Sequence, residues 1–216
     1  MAKAARTSDR RNQIGQVMGR KGHDTRARLV AAAARLVATR PLQELRVTDI
    51  AREAGLGPPN FYVYFADVGA AVLAALDRHP QASPELLAIL DLDWTSPDGL
   101  DHARRFVVAY LGSWKENFAL LRARNLAADE GDQRFIEQRL ADIGPILRGL
   151  TEKFEAAQAA GRVPKTLQAQ ATAGVIVAAL ERLAAAPRWS QGSSTGDGVI
   201  RDAAAFVLAA ALGITS

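Results

Sequence analysis

The sequence lacks cysteine altogether, and it also lacks long apolar runs. Without cysteine, disulfide bonds and thiolate metal sites are excluded, which fits a reducing compartment. The longest apolar stretch, residues 203–212, reaches about half of the roughly 18 residues that cross a bilayer. No apolar segment follows the basic residues near the N-terminus, so no secretory signal is expected. We therefore expect a cytoplasmic protein with no membrane segment, no metal and no cofactor.

Aromatic residues are few, at 6% of the chain, whereas alanine dominates residues 31–34, 203–205 and 209–211. Alanine has the highest helix propensity and lets helices pack closely. With 49% hydrophobic residues, a chain of 216 residues can fill a sizeable core. The composition predicts an all-α fold, and the helical segments number about nine.

The positive charge is concentrated at the N-terminus. The net charge is only +4, but the first 28 residues hold eight basic side chains against two acidic ones. Residues 1–22 show no apolar periodicity, which predicts a flexible basic arm with a positive field around it. The candidate DNA-contacting side chains of this arm are Arg6, Arg10, Arg11, Arg20 and Lys21.

Two short helices joined by a glycine-containing turn are predicted over residues 47–65. The first ends at Gly55, because glycine readily adopts the left-handed conformation that terminates helices. Gly57 and the two prolines after it open the second, since prolines in a first turn give up donors that have no intrahelical partner. Phe61 and Phe65 lie one helical turn apart as inward anchors. This is the arrangement of a DNA-reading helix-turn-helix.

The residues of this motif resemble the N-terminal domain of the tetracycline-repressor (TetR) family. The resemblance rests on residues 48–56, T-D-I-A-R-E-A-G-L, and residues 61–65, F-Y-V-Y-F, and it covers about residues 24–77. It implies a homodimeric repressor that a small apolar or amphipathic effector releases from a palindromic operator. It also implies a DNA-binding domain at residues 23–68 and a helical regulatory and dimerisation domain at residues 69–216.

The resemblance implies DNA contacts on the second helix of the motif and at the start of the first. Tyr62 and Tyr64 align with aromatic positions that touch DNA, although either ring can serve only for packing. Asn60 is the candidate base reader, because an amide pairs with adenine in a bidentate contact; a local capping role is the alternative. The full predicted set is Arg46, Thr48, Pro58, Asn60, Tyr62, Val63 and Tyr64.

The reading surface departs from the family pattern. Arg46 stands where a Ser or Thr cap is usual, and Gly57 replaces a common Ser. Pro58 and Val68 occupy positions where polar or basic side chains often reach DNA. We therefore expect apolar contacts, from Pro58 or Val63 to thymine methyl groups, to join Asn60 in base reading. The basic arm would supply affinity by following phosphates or entering a minor groove, unless it is only a solubility tail.

Small and apolar residues line one face of each of the last two helices, which predicts close packing against a second copy of the chain. Burial within the chain itself is the alternative. The predicted dimer residues are Ala171, Gly174, Val175, Ala178, Val199, Ala203, Phe206, Val207 and Ala210.

An aromatic stripe in the middle of the chain is the candidate effector pocket, because large rings with a few polar groups are typical of small-molecule sites. Plain core packing is the alternative. The predicted lining consists of Phe106, Tyr110, Trp114, Phe118 and Asn125.

Three other classes of protein are alternatives to a ligand-responsive repressor. No nucleophile elbow, phosphate-binding loop or metal-ligand spacing is present in the sequence, so an enzyme is not expected. A nonspecific DNA-binding protein, attracted by the basic arm, would bind without sequence preference and with a steep salt dependence. An orphan protein that binds apolar ligands and whose DNA face no longer works is the other alternative.

Overall fold

The computed structural model describes residues 12–13, 15–186 and 197–214. In that part of the chain it contains ten α-helices, one short 3-10 turn and no strand, which confirms the all-α prediction with one helix more than the nine expected. The 3-10 turn is Leu42–Glu44. The helices are α1 (Arg20–Val37), α2 (Val47–Glu53), α3 (Pro58–Tyr62), α4 (Val68–Leu76), α5 (Pro84–Leu90), α6 (Gly99–Glu116), α7 (Phe118–Asp129), α8 (Gln133–Ala159), α9 (Ala169–Ala185) and α10 (Asp197–Ala211).

The helices form two compact units. The first comprises Met1–His79 and Ala119–Gln138, and the second comprises Pro80–Phe118 and Arg139–Ser216. The predicted functional boundary after residue 68 therefore falls inside the first unit. None of the helices in the described residues is both long and apolar enough to cross a membrane.

The first unit is built on α1, which packs against α2 and α4. Leu29 and Ala33 of α1 are fully buried, as are Ile50 of α2 and Phe61 of α3. Helix α1 starts at Arg20, before the predicted end of the arm at residue 22. No local pattern marks this start, because the apolar face of α1 begins only at Leu29.

The segment just before α1 also contacts the first unit. The Gln13 backbone N–H donates to the Val63 carbonyl oxygen at 2.9 Å. Met18 is 8% exposed, so its side chain belongs to the core. The part of the predicted arm that the structure describes is thus attached near the end of α3.

The second unit is organised around α6, which packs against α5, α9 and α10. Its core contains the rings of Phe106, Tyr110 and Trp114, each at most 1% exposed. Helix α8 runs through Pro145 without ending there.

The turn between α2 and α3 requires glycine at residue 55. Gly55 has a φ of +67°, and a Cβ atom there would lie 3.0 Å from Arg28 Nη2. Left-handed backbone costs a residue with a Cβ about 1–2 kcal/mol. We therefore expect Gly55→Ala to lower the free energy of unfolding by about that amount.

Urea denaturation measures this effect, with Gly112→Ala as the control. Gly112 lies inside α6, and a Cβ there would meet nothing within 4 Å. Since alanine favours helix, the control should gain up to about 1 kcal/mol. Equal stabilities for the two variants would contradict the requirement for a left-handed residue at 55.

Candidate nucleic-acid interface

Helices α2 and α3 are joined by a tight turn that backbone hydrogen bonds close. The Leu56 N–H donates to the Ala51 carbonyl at 2.8 Å, and the Gly55 N–H donates to the Arg52 carbonyl at 2.9 Å. This pairing, with glycine in the left-handed conformation, satisfies the last carbonyl groups of α2. The Arg28 guanidinium of α1 also donates to the Ala54 carbonyl. Backbone hydrogen bonds within the turn and the Arg28 side chain from α1 therefore both stabilise the arrangement of α2 and α3.

A carboxylate, rather than the residue before the helix, caps the start of α2. No side-chain hydrogen bond caps this end from Arg46, as expected for a residue without an acceptor. Instead the Arg46 backbone N–H donates to Asp49 Oδ2 at 3.1 Å. Asp49 also lies within 3.3 Å of Arg40 and 3.4 Å of Arg52. The exposed Arg46 and Thr48 side chains thus stand at the N-terminal end of a well-fixed helix.

Helix α3 presents a mostly apolar outer surface. It is five residues long and begins with two prolines after Gly57. Phe61 anchors it from inside, with its ring centroid 5.7 Å from that of Phe65. Pro58, Asn60 and Tyr62 are exposed. The surface that this helix offers to a partner therefore combines one amide and one phenol with apolar groups.

The two predicted DNA-contacting tyrosines differ in exposure. Tyr62 is 54% exposed and packs edge-on against Phe61 at 5.8 Å between centroids. Tyr64 is half-buried, and its hydroxyl would lie 3.8 Å from a Cβ atom on Gly22 of α1. Val63 is also half-buried. Tyr62 is consequently the more accessible of the two rings.

Asn60 is free to meet a ligand. Its side chain is exposed and forms no hydrogen bond with any of the residues that the structure describes. The N-cap of α3 is Gly57, with no side-chain cap bond. The alternative role for Asn60, local capping, therefore has no support in the observed contacts.

The predicted arm is only partly within the described residues. Arg20 and Lys21 lie exposed in the first turn of α1. Arg6, Arg10 and Arg11 lie outside the described residues, and their contact with DNA stays a prediction.

Two of the basic residues near the N-terminus have structural positions that sequence reasoning missed. Arg28 donates to the end of α2, and the Arg26 guanidinium lies 5.2 Å from the centre of the Phe65 ring. No local pattern pointed to these roles, because each partner lies far along the chain.

An ion-paired turn borders the helix-turn-helix within the first unit. Arg134 bridges Asp67, at 2.9 Å, and Asp132, at 2.8 Å. Its hydrogen bonds lower the pKa of Asp132 below its usual range, and the two carboxylates raise the pKa of Arg134. A groove of about 820 Å³ separates this turn from Arg46, Thr48 and Tyr62.

The predicted dimer residues lie on outward faces of the second unit. On α9, Val175 is 68% exposed, while Ile176 and Val177 face the core. On α10, Phe206 is 67% exposed, and the next residue, Val207, is also exposed. The other members of the set are exposed too, except for the half-buried Gly174: Ala171, Ala178, Val199, Ala203 and Ala210. The alternative was burial of these residues within the chain itself, and their exposure does not agree with it.

The predicted effector residues divide between the two units. Phe106, Tyr110 and Trp114 are buried in the second unit, to which the half-buried Phe118 also belongs. The Trp114 Nε1–H is buried and has no hydrogen-bond partner in the described part of the chain. Asn125 belongs to the first unit, where its Oδ1 accepts a bond from Arg124 Nε at 3.0 Å.

Two short helices at a fixed turn, the second with an exposed outer surface, define a helix-turn-helix DNA-binding protein. Comparison with known families agrees with this class. The profile described as "Tetracyclin repressor-like, C-terminal domain" matches residues 87–216, and that of "Bacterial regulatory proteins, tetR family" matches residues 29–67. The chain belongs to the TetR family, which is a family of transcription regulators and not of enzymes.

Curated relatives match only a short part of the chain. The HTH-type transcriptional regulator EthR of Mycobacterium tuberculosis is 40% identical over 57 residues, which is 26% of either chain. EthR of Mycolicibacterium smegmatis is 39% identical over 56 residues. The match thus spans only about a quarter of the length of these curated relatives.

Solved structures of the family share the fold along most of the chain. A putative TetR-family regulator from Rhodococcus sp. has a TM-score of 0.64 at 21% identity and covers 88% of this chain and 98% of its own. The fatty acid degradation regulator FadR from Bacillus halodurans has a TM-score of 0.60 at 15% identity, covering 91% and 96%. At these identities the likeness shows the fold alone.

Proposed function

We propose that this protein is a homodimeric transcription repressor that a small-molecule effector releases from its operator. The observation that carries the proposal is the outer surface of α3, where Asn60 and Tyr62 stand exposed on a helix anchored by the buried Phe61. Arg46 and Thr48 at the start of α2 complete the surface that would meet the DNA backbone. A regulator of this kind acts where the DNA is, so we place it in the cytoplasm.

A dimer matches the geometry of duplex DNA. Two reading helices meet successive major grooves when they lie about 34–36 Å apart, or a multiple of that distance. Dimerisation through the exposed faces of α9 and α10 would remove large apolar side chains such as Phe206 from water. A twofold dimer reads a palindrome, so the operator should consist of two inverted half-sites.

Selection from a library of random-sequence duplexes tests the DNA-binding role. We expect the purified protein to enrich an inverted repeat and to bind it at least about a thousandfold more tightly than random duplex. Enrichment of no sequence, together with a steep salt dependence, would instead support the nonspecific DNA-binding protein. Absence of any DNA binding would favour the orphan ligand-binding protein.

The buried stripe on α6 supports the effector role. A buried N–H without an acceptor is unfavourable, and a ligand acceptor at Trp114 Nε1 would relieve that cost. The rings of Phe106 and Tyr110 would supply apolar contact. We therefore propose an apolar or amphipathic effector that carries a hydrogen-bond acceptor. Its binding would favour a conformation in which α4 displaces the reading helices from groove spacing.

Trp114→Phe tests this site because it keeps an aromatic ring and removes the donor. The probes are medium-chain fatty acids, aromatic amides and hydrophobic amines. At about one hundred times its Kd, a ligand adds about 2.7 kcal/mol of stability, which corresponds to a rise of roughly 5–10 °C in Tm. We expect one class to raise Tm and weaken operator binding, and the variant to bind that class roughly tenfold more weakly. If no probe changes Tm or operator affinity, the effector role is abandoned while DNA binding stands.

A further inference from the structure

The start of α4 lies immediately after the reading helix. Only residues 63–67 separate the end of α3 at Tyr62 from the start of α4 at Val68. Asp67 is the N-cap of α4, and its Oδ1 accepts from the Ala70 N–H at 2.7 Å. Phe65, two residues earlier, is 3% exposed and packs against Phe61. A group that fixes Asp67 therefore also fixes the end of α3.

Arg134 is that group. Its Nη1 donates to both oxygens of Asp67, at 3.1 and 2.9 Å. Its Nε and Nη2 donate to the two oxygens of Asp132, at 3.2 and 2.8 Å. The planar guanidinium is suited to hold two carboxylates in fixed directions, which a lysine could not do.

Gly69 leaves room for this arrangement. A Cβ atom at residue 69 would lie 2.9 Å from Arg134 Nη2 and 3.2 Å from Asp67 Oδ1. Gly69 stands in the first turn of α4 and has no left-handed backbone that would otherwise require glycine. The close approach of Arg134 is thus the observed feature that depends on glycine here.

A residue close to Arg134 in sequence, Glu130, contacts the segment that precedes the helix-turn-helix. Gln43 Nε2 donates to the two carboxylate oxygens of Glu130 at 2.6 and 2.7 Å. Gln43 lies in the 3-10 turn that precedes α2. Side chains of residues 130–134 therefore contact both the 3-10 turn before α2 and the start of α4, which follows α3.

We infer that Arg134 is a positioning residue for DNA binding, which fixes the start of α4 and, through it, the reading helix α3. The inference rests on the proposed function. The Arg134 and Asp67 side chains are about half exposed, at 47% and 50%, so their ion pair adds little to folding stability. What the pair supplies is a fixed geometry, which both reading helices of a dimer need at once.

Operator binding by Arg134→Gln and Gly69→Ala tests the inference, on the inverted repeat recovered from the random-sequence library. We expect Kd to rise roughly five- to thirtyfold in each variant. Gly69→Ala should leave Tm nearly unchanged, because the helix preference of alanine offsets the crowding of Asp67 Oδ1 at 3.2 Å, while the Cβ displaces the guanidinium from Asp67. If Arg134 only stabilised the fold, a variant that binds the operator more weakly should also show a lower Tm.

Two controls match these variants. Arg148→Gln removes an exposed arginine of the same helix, and Gly112→Ala adds a Cβ in open space inside another helix. Both should bind the operator within about twofold of the unmodified protein. Asp67→Asn keeps an oxygen for the α4 cap and removes the charge. Combined with Arg134→Gln, it should weaken binding no further than either change alone.

Hydrogen exchange in the DNA-free protein separates positioning from a direct contact between Arg134 and DNA. Positioning predicts faster exchange at Ala70 and Ala71 in Arg134→Gln, because the N–H groups of these two residues donate to Asp67. Unchanged exchange alongside weaker operator binding would overturn positioning in favour of direct contact. Affinities within twofold of the unmodified protein for both variants would also overturn it. If the unmodified protein enriches no sequence, the proposed function itself fails, and the inference fails with it.

Discussion

Phe206→Glu is expected to convert the protein into a monomer that binds its operator at least about a hundredfold more weakly. Phe206 is 67% exposed on α10 beside Val207, so the change costs the isolated chain little packing. In the proposed dimer, however, a charge would replace a large ring in an apolar interface, where an unpaired charge is strongly unfavourable. In a dimer, binding of one half-site raises the effective concentration of the second reading helix at the other half-site. A monomer binds each half-site separately and loses this gain.

Light scattering after size exclusion gives the mass, and fluorescence anisotropy gives the operator Kd. The unmodified protein should show twice the chain mass of 23.1 kDa, and the variant should show the chain mass itself. Val108→Glu is the matched control, because Val108 is 41% exposed on α6 and lines a groove with residues of α5. A Phe206→Glu protein that remains dimeric would place the interface elsewhere.

Asn60→Ala is expected to weaken specific binding roughly thirtyfold or more. A bidentate contact to adenine contributes about 1–3 kcal/mol of discrimination, and a dimer would lose two such contacts. The exposed Asn60 side chain has no partner among the described residues, so its removal should leave Tm unchanged. The loss should be confined to one A·T pair in each half-site, where the variant no longer distinguishes bases.

Titration of operators mutated at each position locates that pair. Gln133→Ala is the control, since it removes an exposed amide from the same compact unit outside the helix-turn-helix. Binding to random duplex should be equal for the two variants, because phosphate contacts supply it. If Asn60→Ala keeps the base preferences of the unmodified protein, base reading belongs to the apolar groups or to Tyr62.

The helix-turn-helix could be predicted closely because its signals are local. Gly55 and the prolines after Gly57 fix the boundaries of α2 and α3 through backbone conformation alone. The apolar faces of α9 and α10 could also be recognised from helical spacing, whereas their exposure is given by the structure. These patterns involve residues that lie three or four positions apart, so they can be recognised in the sequence without a structure.

Other features depended on contacts between distant parts of the chain. The start of α1 at Arg20 precedes its apolar face, so periodicity did not reveal it. Asp67 could be recognised as a helix cap, but its ion pair with Arg134 joins residues 67 positions apart. The greater exposure of Tyr62 than of Tyr64 follows from the position of α1, which the motif itself does not contain.

By itself, the sequence determined the class of this protein: an all-helical chain with a helix-turn-helix of the TetR family and two apolar helix faces near its C-terminus. Backbone preferences and helical periodicity act within a few residues, so they can be read without a structure. Only the tertiary structure decided which side chains hold the reading helix in place. Ion pairs and close approaches such as those of Arg134, Asp67 and Gly69 exist only once distant segments have packed together.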